Sequence, residues 1–116
     1  MPPRLRPADP AAVAAALAAP ERGRAELKLL TKHFMAVLAE RSPGNSVELR
    51  VPPYAAVQVV PGVRHTRGTP PAVVELDAQT WIALATGELA WSVATRDGRV
   101  LASGERTDLS AYLPLT

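Results

Sequence analysis

The sequence predicts a single α/β (α+β) domain, and three observations carry that prediction. Leu27, Leu30, Phe34, Val37 and Leu38 recur at helical spacing and make one apolar stripe. Val47-Glu48-Leu49-Arg50-Val51 alternates apolar and polar, as a half-buried strand does. Beyond residue 72 a strand-like run leads to Asp77, a helix-patterned segment with Trp81 and Leu84, and then Gly87. At 116 residues the chain can bury one core and is too short for two.

The elements follow in order. Asp9 is placed to cap a first helix over 10–19, with Pro10 in its first turn and Pro20 ending it. Arg4 and Arg6 before an alanine-rich run give the outline of a secretory signal. Asp9-Pro10 interrupts that outline, and the capped helix accounts for the run better. A longer helix over 21–41 carries the stripe, with Glu26, Lys28, Lys32, Glu40 and Arg41 on much of its remaining surface. That stripe packs on a sheet, and it can also roof a ligand cavity.

Ser42-Pro43-Gly44-Asn45 is a turn. Strand 47–51 ends at Pro52-Pro53, which lack the backbone donors a ladder needs. A second strand over 54–60 is expected to pair with it antiparallel. Gln58 within it is either an outward residue or a buried amide with a partner, the first being commoner. The segment His65-Thr66-Arg67-Gly68-Thr69-Pro70-Pro71 has two readings. It is a solvated crossover loop, or a rigid loop whose amides form an anion-binding nest beside Arg67.

A strand over 72–76 follows, then the helix capped by Asp77 and stopped by Gly87. A short helix around Trp91 runs to Gly98, a strand covers 99–103, and a last helical turn starts at Asp108. The periods place Leu30, Phe34, Val57, Val59, Val74, Leu76, Trp81, Leu84, Trp91, Val100 and Leu109 in the core.

Composition excludes several functions. Apolar residues make 47% and charged residues 21%, ordinary for a globular protein. Net charge is +2, with a pI near 9.5. The arginines are scattered among acids and not gathered on one element, so sequence-specific nucleic-acid binding is not expected. The absence of cysteine removes disulfides and thiolate chemistry and suits a cytoplasmic location. No apolar run approaches the roughly 20 residues of a transmembrane helix.

Catalytic patterns are scarce. His33 and His65 are the two histidines, and without cysteine they supply no evident metal set. No nucleophile elbow, phosphate loop or dinucleotide fingerprint occurs, so no cofactor is expected. Ser92, Ser103 and Ser110 read as ordinary helix, strand and turn residues.

Two segments, VELRVPPYAAVQ from Val47 and HTRGTPPAVVELDAQTWIALATGELAW from His65, together with GRVLASGE, resemble the small actinobacterial proteins of the sterol carrier protein type 2-like family. The resemblance implies a mostly antiparallel sheet with helices packed on one face and a hydrophobic tunnel for an acyl or sterol-like ligand. The domain would span 1–116, with 1–20 a helical extension. The same fold accompanies a metal-binding helical bundle in mycothiol-dependent isomerases. This chain has no room for that bundle and lacks its histidines, so independent enzyme activity is not expected.

Three readings follow, a small enzyme being the last of them. The first is non-enzymatic binding of a lipid or other apolar small molecule. Leu27, Leu30, Phe34, Leu38, Trp81, Leu84 and Leu113 would border the cavity, and His65 and Arg67 would meet an anionic head group at its mouth. The second is an accessory module that binds a protein partner through the HTRGTPP face.

Overall fold

The computed structural model describes residues 4–62, 72–104 and 107–116. His65, Arg67 and the whole HTRGTPP segment lie outside these. Helix α1 (Pro10–Ala18) starts as its sequence dictates: the Ala12 N–H donates to the Asp9 carboxylate at 3.3 Å, and Pro10 occupies the first turn.

Helix α2 (Arg24–Arg41) begins three residues later than the apolar pattern suggests. The reason is local. The Gly23 N–H donates to the Glu26 carboxylate at 2.8 Å, and the Leu27 N–H to the Gly23 carbonyl at 3.0 Å. That pair of bonds fixes the helix entrance at Arg24 and leaves Glu21 and Arg22 outside.

Strands β1 (Val47–Val51) and β2 (Ala55–Val59) form the expected antiparallel hairpin, with Leu49 opposite Val57. Tyr54 belongs to the turn, where its N–H donates to the Val51 carbonyl at 2.9 Å. Val60 leaves the strand with φ of +72°. Strand β3 (Ala72–Glu75) lies on the other side of β1 and parallel to it. Strand β4 (Leu101–Ser103) adds antiparallel to β3, giving the order β2-β1-β3-β4. Two of the three pairings are thus antiparallel, and the central one is parallel. Ser46 anchors the parallel join: its N–H donates to the Val60 carbonyl, and its carbonyl accepts the Ala72 N–H.

Burial alternates along the strands. Val47, Leu49, Val51 and Val74 are fully buried beneath the helices, whereas Arg50 is exposed on the other face, paired with Glu48 at 2.9 Å. Gln58 points outward, as its commoner reading has it.

Asp77 caps helix α3 (Ala78–Thr86) through the Thr80 N–H at 2.7 Å, and Gly87 ends it at φ of +85°. Helix α4 (Trp91–Arg96) is followed by Gly98 and Arg99, whose N–H still donates to the Ala94 carbonyl. That bond delays β4 to Leu101. The last turn is a 3-10 helix, η1 (Ser110–Tyr112), with Leu109 at its N-cap and Asp108 outside it; the Ser110 N–H donates to Asp108 Oδ1 at 2.9 Å.

Of the expected core, Leu30, Phe34, Val59, Val74, Leu76, Trp81, Leu84 and Leu109 are buried. Val57, Trp91 and Val100 are half-buried. Val57 sits on the edge strand, Val100 precedes the other edge strand, and Trp91 opens α4 beside a groove. Among the described residues no helix is long and apolar enough to cross a membrane.

Candidate functional site

The site is built at the C-terminal end of α3. Gly87 turns the chain out of the helix, and the Leu89 N–H then reaches back to the Ala83 carbonyl at 3.2 Å. This fold-back sets Leu89 over the helix end and aims α4 across it. From the other side the C-terminal segment docks on the same end. The Leu115 N–H donates to the Ala85 carbonyl at 2.8 Å, and Thr116 Oγ1 to the Thr86 carbonyl at 3.4 Å. The last-turn carbonyls of α3 are therefore partly satisfied by chain from residues 115–116.

Between these pieces lies an open groove of about 660 Å³. Its apolar lining is Leu84, Leu89, Trp91, Leu113 and Pro114. Leu84 is 1% exposed and forms the floor, and Leu89, Trp91 and Leu113 are half-buried walls. A second side is polar, with Ser92, Thr95, Asp108 and Ser110. The Thr95 hydroxyl bonds the Trp91 and Ser92 carbonyls of its own helix. Asp108 is held below the usual carboxylate range, first by the hydroxyl of Ser110 and then by its backbone N–H. Two other depressions differ in character. One is lined by Glu21, Arg22 and Gln79, and the other by Arg24, Lys28 and Lys32 facing Pro53 and Tyr54.

The structure brings together two of the residues singled out from the sequence, Leu84 and Leu113. Leu30, Phe34, Leu38 and Trp81 are at most 2% exposed and pack within the core. Trp81 also ties α3 to α2, its indole N–H donating to the Thr31 carbonyl at 3.2 Å. Leu27 is half-buried against that core. His33 is structural: its Nδ1 accepts the Ala8 N–H at 2.9 Å, and its ring meets the Phe34 ring edge-on at 4.9 Å.

Sequence reasoning missed Leu89, Asp108 and Ser110 as groove residues. Signals for them existed. A helix-ending glycine turns the chain back on the last turn, where an apolar residue soon after it packs, and Leu89 is the first such residue past Gly87. Asp-x-Ser is a local turn pattern in which the carboxylate bonds the amide two residues on. Among the described residues no three His, Asp or Glu side chains gather as a metal ion would require.

No curated protein matches the sequence. Residues 23–115 match the model of a family described as bacterial SCP ortholog. The match runs from the entrance of α2 to the docked Leu115, and so takes in the sheet and every groove residue, while α1 precedes it. The chain belongs to this family of bacterial sterol carrier protein (SCP) orthologs.

Proposed function

We propose that this domain is a non-enzymatic binder of a lipid or other apolar small molecule, working in the cytoplasm, and that the groove at the end of α3 is where it binds. The observation that carries this reading is the lining. Leu89, Trp91 and Leu113 leave apolar surface open to solvent around a buried floor at Leu84, in a volume of about 660 Å³. Ligand sites are concave, mostly apolar and edged by a few polar groups, and this groove has each property. Family membership supports the same reading.

Burial of an alkyl chain supplies the driving force, at about 0.8 kcal/mol for each methylene removed from water. The walls come from three segments that converge on one helix end, so the site is held by backbone hydrogen bonds and not by a long loop. Leu30, Phe34 and Leu38 of α2 and Trp81 of α3 are buried in the core, and the Trp81 indole bond to the Thr31 carbonyl ties α3 to α2.

A neutral fluorescent naphthyl probe tests the reading. Leu84→Glu is a poor variant, because a charge at a fully buried position would unfold the domain. Leu113→Glu changes a half-buried wall and leaves the core intact. Wild type is expected to bind the probe saturably, and Leu113→Glu is expected to lose at least tenfold in affinity, about 1.4 kcal/mol. An accessory module that recognises only a protein partner would show no saturable binding in either variant, and that result would overturn the proposal.

A further inference from the structure

The groove has one charged group among its described lining residues, and that group is an anion. Asp108 projects from the segment before η1, with one carboxylate oxygen engaged by the Ser110 N–H at 2.9 Å. The other oxygen has no ion-pair partner among the described residues. The groove is also lined by Trp91, a half-buried aromatic. A carboxylate and an indole lining one groove are two features that attract an organic cation. The same carboxylate repels a fatty acid head group.

We infer that the groove selects amphiphiles with a cationic head group, an alkyl ammonium ion seated at Asp108 and Trp91 with its tail along Leu84 and Leu113. This rests on the apolar-binding reading above and adds the chemistry of the head group. Ser92 and Ser110 bring hydroxyl oxygens to the same polar side, and each can accept a hydrogen bond from the ammonium. The Ser110 hydrogen bonds keep Asp108 ionised through neutral pH, so its charge is available to the ligand.

Calorimetric titration of the full chain with decylammonium, decanol and decanoate, each below its aggregation concentration, separates tail from head group. Wild type is expected to bind decylammonium at least about tenfold tighter than decanoate, with decanol between them. That preference is expected to shrink as salt is raised, because Asp108 is exposed. Asp108→Asn keeps an oxygen acceptor for the Ser110 N–H and removes the charge. It is expected to bring the two ionic ligands within about threefold of each other. Equal or tighter binding of decanoate by wild type would overturn the head-group inference. So would a preference that survives in Asp108→Asn. In either case saturable decanol binding keeps the apolar groove standing. If none of the three ligands saturates, the groove is not a binding site and both readings fall.

Discussion

Two regions built from similar residues end in different states. Where α2 crosses α3 and the sheet, Leu30, Phe34, Leu38 and Trp81 are sealed at 0–2% exposure. At the far end of α3, Leu89, Trp91 and Leu113 remain half-exposed around a groove. Both sets are leucines and aromatics, so residue type does not separate them. The cover does. The first set has an eighteen-residue helix over a four-stranded sheet. The second is covered by a six-residue helix and a 3-10 turn, which reach the helix end and leave its side open. Apolar residues thus seal a core where long elements meet, and stay open to solvent where short ones do.

The largest expected break in this comparison is a truncation in each region. Phe34→Ala empties a sealed site and should cost about 3–5 kcal/mol in urea denaturation. Trp91→Ala, at the half-buried wall, should cost about 1–2 kcal/mol. Equal losses would show that the groove wall is as much a part of the core as α2.

The junction between the regions is Gly87, which ends α3 and lines the groove. A Cβ there would meet Pro114 at no closer than 3.5 Å, so space is not the constraint. The φ of +85° is, and Gly87→Ala should destabilise by about 1 kcal/mol. A neutral result would mean that the turn relaxes without cost.

The sealed region carries one polar flaw. Among the described residues, Thr31 Oγ1 is buried without a hydrogen-bond partner. Thr31→Val keeps the shape and removes the desolvated hydroxyl, and should be neutral or stabilise by up to about 1 kcal/mol. A marked loss of stability would show that the hydroxyl is bonded.

These regions also differ in how legible they were. The α2 stripe, the hairpin and the Asp77–Gly87 frame of α3 were readable because each is a local rule: a period, an alternation, a cap and a stop. Leu84 and Leu113 were readable as apolar, but their meeting depends on Leu115 docking to Ala85, a contact across thirty residues that no local pattern encodes. The same limit applies to α2. Its stripe reads alike whether it roofs a cavity or packs against α3, and the bond from the Trp81 indole to the Thr31 carbonyl is a tertiary contact that no period encodes. The head-group residues His65 and Arg67 lie outside the described residues; among the described residues the polar side of the groove is built by Ser92, Thr95, Asp108 and Ser110.

A smaller effect sharpens the account of the N-terminal side. Burial holds the His33 imidazole below its ordinary value, and Nδ1 accepts the Ala8 N–H only when unprotonated. A base with a depressed folded-state value leaves stability whole above the unfolded value, about 6.5. Stability should then fall as pH drops below about 6.5 toward the folded value. An NMR titration of His33 that places it at or above the unfolded value would contradict this.

The central claim is that the open groove, and not the sealed stripe, takes an apolar ligand. Methyl NMR with decanol as a neutral probe tests it directly, because leucines report from both regions. The account predicts saturable shifts at Leu89 and Leu113, with Leu30 and Leu38 unmoved. Shifts centred on Leu30 and Leu38, or none that saturate, would contradict it.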